Sequence, residues 1–432
     1  MSAQGDTRAP LGFVAATALI MGNMIGAGIF LLPASLAPLG WNGVVGWIVT
    51  ISGTLVLAWV LAALTRARPQ AEDSTGLVAE AFGKMTAFVV MWSYWITLWI
   101  GLATIAIAGV SYLSAYVPLA DWHPLAPTGA AIAMIWMLTL LNLGGVKAAG
   151  QFQVVTLAIK ILPLLAVMAI AVLALAGGEA DLQPFDPGTL SPGAINAAGA
   201  LTLFALLGFE CASLAAKRTR NPEVTVPRAT MWGTAAVGVI YLVVCSAIAL
   251  LLPAEDVAGS TAPFATFVGQ FWGPGPAALV AAFAVVSCVG AVNGWILLQG
   301  EVPRAMAERG MLPQWFGKTN RAGSPTGALV LSSGLATLTL LLTVDPSLQG
   351  MFEFLLLLST SIALWFYIAL VAAAWHLRVA RPFALIGLIY GLWTLYGAGL
   401  VPSLWGIALM AAGLPLWWME QRTQAKGAGQ PG

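Results

Sequence analysis

Residues 22–30 read Gly22-Asn23-Met24-Ile25-Gly26-Ala27-Gly28-Ile29-Phe30. Three glycines within seven residues weaken a helix by about 1 kcal/mol each relative to alanine, and they fall inside a long apolar run. In hydrocarbon, freed N–H and C=O groups find no water, so unwound backbone is tolerated only where it lines a cavity or is buried in protein. Close helix packing through small residues accounts for the same glycines equally well. A second stretch tips the balance: Leu203-Phe204-Ala205-Leu206-Leu207-Gly208-Phe209-Glu210 sets a glycine before a carboxylate in the middle of another apolar run. Interrupted helices five spans apart point to two inverted five-helix repeats with a substrate site between them. Exposed N–H groups at the positive end of a half-helix suit a carboxylate, and exposed carbonyls suit an ammonium. A zwitterionic α-amino acid carries both.

The whole chain supports a membrane reading. Its 432 residues are 59% hydrophobic and 8% charged, with a mean hydropathy of +0.89; soluble domains are about 25% charged. Such a chain cannot cover a water-facing surface, which excludes a soluble enzyme, a nucleic-acid binder and a secreted disulfide scaffold. The apolar runs are continuous rather than alternating, which excludes a β-barrel. Twelve runs of spanning length lie near residues 13–38, 42–65, 86–115, 128–146, 152–176, 193–216, 229–252, 275–300, 326–344, 348–375, 383–399 and 401–419. The expected fold is therefore an all-α integral membrane protein of twelve transmembrane helices: an N-terminal tail 1–12, a first repeat 13–176, a second repeat 193–375, two extra helices over 383–419 and a tail 420–432. Cys211, Cys245 and Cys288 lie in apolar stretches and read as buried hydrophobes. The first run is too long for a cleavable signal.

Charge gives the direction. Of eighteen Lys and Arg, seventeen fall at the termini or in the loops on the same side as them; the opposite loops contain none. Acidic residues divide eight and eight, as expected where only Lys and Arg set orientation. Both termini are thus expected in the cytoplasm. Lys160 and Glu210 remain at membrane depth, where an ionisable group costs at least about 2.5–3.5 kcal/mol and marks function or a bracing contact. Glu210 stands beside a predicted break, which favours a coupling or substrate role over a merely structural carboxyl. Lys160 sits eight residues into its span, about 12 Å deep, a long reach for snorkelling, so a buried ammonium bracing the broken helices is expected. Tyr94 is polar within span 3 and needs a partner. Trp295 follows Asn293-Gly294 in span 8 and is a candidate for facing the cavity. Ser359, Thr360 and Ser361 read as helix-to-backbone bonders. His123 and His376 are not clustered, so no metal site or cofactor is expected.

Residues 22–30 resemble the first-helix signature of the amino acid–polyamine–organocation transporters. Gly208-Phe209-Glu210, followed by Asn221-Pro222-Glu223 and Val226-Pro227-Arg228-Ala229, is similar to their sixth-helix motif. Arg304-Ala305-Met306-Ala307-Glu308-Arg309-Gly310-Met311-Leu312-Pro313, then Ser324-Pro325, resembles their loop between helices 8 and 9. The likeness covers nearly the whole chain and falls within the group of the bacterial arginine/agmatine antiporter and the basic amino acid/polyamine antiporters. It implies the two-repeat fold, alternating access, a bacterial inner membrane and an amino acid substrate, and it alone points to a homodimer. Carried over by position, the backbone around Ala27 and Gly28 would hold a carboxylate, with Asn23 and Gly26 also among the substrate-binding residues. Carbonyls of Met24, Phe204 and Leu207 would hold the amine, Trp295 would stack on the side chain, and Glu210 with Tyr94 would form a gate or proton-sensitive pair. Where the antiporter has serine, cysteine, asparagine and tryptophan, this chain has Ala27, Leu98, Leu102 and Phe204. The pocket is therefore more apolar, and a guanidinium buried without partners is costly. Lys160, in Thr156-Leu157-Ala158-Ile159-Lys160-Ile161-Leu162-Pro163, resembles the fifth-helix lysine of sodium-independent relatives, where the amine takes the place of sodium.

The expected function is a sodium-independent amino acid carrier, an exchanger of cationic or neutral amino acids or of amino acid and amine, with a proton-coupled importer as the alternative. Its partners are the small-molecule substrate and membrane lipid, with no nucleic acid. An intramembrane enzyme fits poorly: no span holds an aspartate and there is no Gly-x-Ser-x-Gly elbow. A channel needs a filter ring of polar loops, which the sequence does not contain.

Overall fold

The computed structural model describes residues 12–26, 28–71, 74–210, 220–345 and 347–428. All regular structure among them is helical. In chain order the α-helices are α1 (Phe13–Met24), α2 (Gly28–Leu36), α3 (Trp41–Ala67), α4 (Ser74–Phe82), α5 (Lys84–Leu113), α6 (Leu119–Trp122), α7 (Ala126–Leu143), α8 (Val146–Gly177) and α9 (Pro192–Leu206). They continue with α10 (Pro222–Leu251), α11 (Ala254–Ala258), α12 (Pro263–Trp272), α13 (Pro274–Glu308), α14 (Thr326–Leu342), α15 (Leu348–His376), α16 (Arg381–Gly397), α17 (Leu400–Ala411) and α18 (Leu414–Ala428).

Eight described stretches are long and apolar enough to cross a membrane unaided, the last of them made of α17 and α18 together; α1 and α2 form one more crossing bent by 49°. The shorter apolar helices α9 and α14 and the 17-residue α16 occupy the sixth, ninth and eleventh apolar runs. Several boundaries depart from the hydropathy pattern: α8 begins at Val146 rather than near 152, α18 runs to Ala428 past 419, and two more have a local cause. The seventh run begins at Pro222 rather than near 229, with proline opening the helix and Glu223 in its first turn, where a fixed φ and a negative charge both favour a helix start. The eighth continues past residue 300 to Glu308. There Arg304 bridges Glu301 and Glu308 at 3.6 and 2.9 Å, one helical turn away on either side. Hydropathy registers only the part of a helix inside hydrocarbon, not its continuation into water.

Helix α5 runs through the centre, with 94% of its apolar window buried. It is apolar all round, the pattern of a helix enclosed by others. Small residues let neighbours close on it and on each other. A methyl at Gly101 would overlap the Trp295 indole, and one at Gly109 would lie 2.9 Å from Cys288 Cβ. On the other side of the fold α9 lies against α3, where Gly46 abuts Ala198 and the hydroxyls of Thr50 and Thr202 meet at 2.8 Å. These contacts fix the half-helix that ends at the site.

Candidate functional site

Helix α1 stops where its glycines predict. Ile25 is extended (φ −70°, ψ 93°), so the last-turn carbonyls lose their helical partners. Two find others. Lys160 Nζ donates to the Gly22 carbonyl at 3.1 Å, and the Tyr241 hydroxyl donates to the Met24 carbonyl at 2.9 Å. Lys160 is 1% exposed, so its ammonium is enclosed in protein beside the break.

Helix α9 ends in the same way. Leu207 is extended (φ −63°, ψ 146°) and Gly208 takes φ +107°, a conformation glycine adopts without steric cost. This turn points the Gly208 N–H at Glu210 Oε2, 3.2 Å away. The two breaks touch. A Cβ on Gly208 would lie 3.6 Å from the Asn23 carbonyl, and one on Gly28 would lie 3.0 Å from the Phe204 ring.

A small cavity lies beside the breaks. Asn23, Leu207, Gly208 and Glu210 come from the broken segments; Tyr94, Thr97 and Leu98 from α5; Trp295 and Leu298 from α13; and Ala363 and Tyr367 from α15. Among the described residues Glu210 is its one carboxylate, and no lysine or arginine lines it. The carboxylate accepts from the Tyr94 hydroxyl at 2.9 Å and from the Tyr367 hydroxyl at 2.7 Å, besides the Gly208 N–H. Each phenol is itself held by stacking: Tyr94 on Phe366 with centroids 4.7 Å apart, and Tyr367 on Phe209 at 5.0 Å. The result is a carboxylate fixed in direction by three donors at the edge of an otherwise mostly apolar chamber.

Of the residues singled out in the sequence, Asn23, Leu98, Leu207, Trp295, Tyr94 and Glu210 meet at this cavity. The other described candidates do not line it. The Met24 carbonyl is taken by Tyr241, and the Phe204 carbonyl accepts from the Leu207 N–H at 3.2 Å; neither residue lines the chamber. Gly26 packs on Ala291, with a Cβ placed 3.2 Å from that side chain, and Gly28 on Phe204, so both serve close approach of helices. Leu102 is fully buried and stands outside the lining, one turn beyond Leu98. Lys160 braces Gly22 rather than facing the chamber. Ala27 lies outside the described residues. Thr97, Leu298, Ala363 and Tyr367 line the cavity without having been singled out. Tyr367 had a signal: a tyrosine within a span needs a hydrogen-bond partner, the test that found Tyr94.

Trp295 reaches the chamber because α5 has no side chain at Gly101. Gly101→Ala is expected to push the indole off its seat and raise KM by about tenfold to a hundredfold, since displacing a positioning group by 1 Å can cost about a hundredfold. Transport kinetics on the inserted variant check this; an unchanged KM would show that Trp295 is not required where it sits.

Helices α1 and α9, ending in breaks that touch beside a cavity lined from both, are the arrangement of a secondary transporter. The chain belongs to the amino acid permease family, whose family model matches residues 11–420. It is 30% identical over 428 residues to the putrescine transporter PotE of Escherichia coli (strain K12), covering 94% of this chain and 95% of that protein. The PotE of Haemophilus influenzae is 30% identical over 419 residues, covering 94% and 96%. The cadaverine/lysine antiporter of E. coli (strain K12) is 32% identical over 346 residues, covering 79% and 76%.

Proposed function

We propose that the chain is a sodium-independent antiporter exchanging an aliphatic amine and a basic amino acid by alternating access. The carrying observation is the carboxylate of Glu210, set by Tyr94, Tyr367 and Gly208 in a cavity that, among the described residues, has no basic side chain. A cationic amine is the complement of such a site. The walls of Leu98, Leu207, Leu298 and Trp295 suit a methylene chain and offer a guanidinium few partners. The similar proteins named for putrescine, cadaverine and lysine point the same way. Asn23 and the backbone beside Gly208 are the groups placed to meet the polar end of an amino acid.

The ammonium of Lys160 on the Gly22 carbonyl stands where a coupling cation would neutralise the break, which supports independence from sodium. Residues 13–176 and 193–375 form the two inverted repeats, with breaks described at residues 25–26 and 207–210. The seventeen basic residues confined to one side support cytoplasmic termini, and the similarity to bacterial transporters supports a bacterial inner membrane.

The apolar walls favour a second reading, a neutral amino acid carrier. Counterflow in sodium-free proteoliposomes separates the two. Vesicles preloaded with putrescine, lysine or leucine are given the labelled compound outside. Accumulation driven by putrescine and lysine is expected; accumulation driven by leucine alone would overturn the amine reading.

A further inference from the structure

At the end of the molecule opposite the basic loops, one buried hydroxyl joins three elements. Tyr112 sits in the last turn of α5 and is fully buried. Its hydroxyl donates to the Phe30 carbonyl of α2 at 2.8 Å and accepts from the Phe264 N–H at 3.1 Å. That N–H belongs to the first turn of α12, where backbone donors lack helical partners. Phe30 packs edge-on to Tyr112 at 5.8 Å and to Phe264 at 5.0 Å. Next to the phenol, Ser111 Oγ donates to the Thr261 carbonyl at 2.6 Å. The segment of α11 and α12 is thereby fastened over α2, the half-helix whose first residue, Gly28, abuts Phe204 at the second break. Fourteen residues of α5, about 21 Å, separate Tyr112 from Leu98 in the chamber.

We propose that Tyr112 is the lock of a lid made of α11 and α12, closing the carrier on the side away from the basic loops. This rests on the transporter reading above, because a carrier must open that side in turn. Opening requires α2 to part from α5 and the lid. The groups released are a phenol, an amide and a carbonyl, all of which water can satisfy, so the contact is reversible at small cost. Aromatic packing around Phe30 and Phe264 supplies the dry seal in the closed state.

The test uses the full chain in intact cells, with the three cysteines replaced by alanine and Ala363→Cys, inside the chamber, as reporter. A membrane-impermeant thiol reagent is added outside. Tyr112→Phe is expected to speed labelling about tenfold, the equivalent of one net hydrogen bond, and to accelerate hydrogen exchange in residues 261–272. Ser111→Ala, which cuts the neighbouring tie and leaves the phenol, is expected to give a smaller change in the same direction and keeps the test open if Tyr112→Phe does not fold. Labelling unchanged in both variants, with putrescine or lysine still slowing it, overturns the lock and leaves the transporter reading standing. Labelling of the parent that putrescine, lysine and leucine all fail to slow overturns both.

Discussion

Glu210→Gln is expected to lower amine exchange about a hundredfold and to abolish its dependence on pH. The charged carboxylate attracts an ammonium in a cavity where, among the described residues, no other side chain carries charge. An amide of the same shape keeps one acceptor oxygen, turns the other into an NH2 donor and loses the charge-assisted bond, worth about 1.5–3 kcal/mol. That is about tenfold to a hundredfold in binding. The amide also returns an N–H toward phenols that already donate, so one hydroxyl must turn away. In the parent, acid protonates the carboxylate and releases the amine, so exchange falls as pH falls; the amide variant has no such group and is expected to give a flat profile. Initial rates of putrescine exchange across a pH series, normalised to inserted protein, check both statements. A profile in Glu210→Gln that still bends with pH would assign the titration to another group.

Much of this is legible in the sequence because hydrocarbon removes choices. An apolar run of twenty residues has no alternative to a helix, and lysine and arginine sort to one side, so the twelve apolar segments follow from composition. The breaks follow from glycine: Gly208 at φ +107° is a position where a side chain would be strained. What was not legible is where the freed backbone groups turn. Lys160 was expected to brace the breaks, but neither its acceptor, the Gly22 carbonyl, nor the hold of Tyr241 on the Met24 carbonyl could be read, because each approach depends on tertiary packing. Leu102 fails to reach the chamber for a related reason. The indole of Trp295 occupies the notch at the neighbouring Gly101, a fit between two helices that neither sequence segment shows alone. Tyr367 completes the carboxylate's shell from span 10, and only its need for a partner marked it. The boundary at Glu308 was hidden because Arg304, Glu301 and Glu308 read as a loop by hydropathy and as paired helix turns by spacing.

Lys160→Met is expected to leave membrane insertion intact and to reduce exchange by about tenfold to a hundredfold. The methionine keeps an unbranched apolar stem of similar reach, so packing of α8 changes little, and the methyl end removes charge and donors. The Gly22 carbonyl is then buried without its described partner, which costs about 1–3 kcal/mol. That cost falls on the conformation in which the α1 break is braced, and α1 regains its helical bond by rewinding through Ile25 and Gly26. Rewinding moves Asn23, which lies against Gly208, so the chamber loses the geometry that sets one wall of the site. The consequence is a fall in turnover larger than the fall in fold stability, and the two are separable: thermal unfolding in detergent reports the second, counterflow per inserted molecule the first. Lys160→Ala opens more space at the same carbonyl, enough for a hydrated cation to reach it. Sodium is expected to restore part of the exchange in that variant and none in the methionine variant. Full turnover of Lys160→Met would show that the ammonium braces nothing that transport uses.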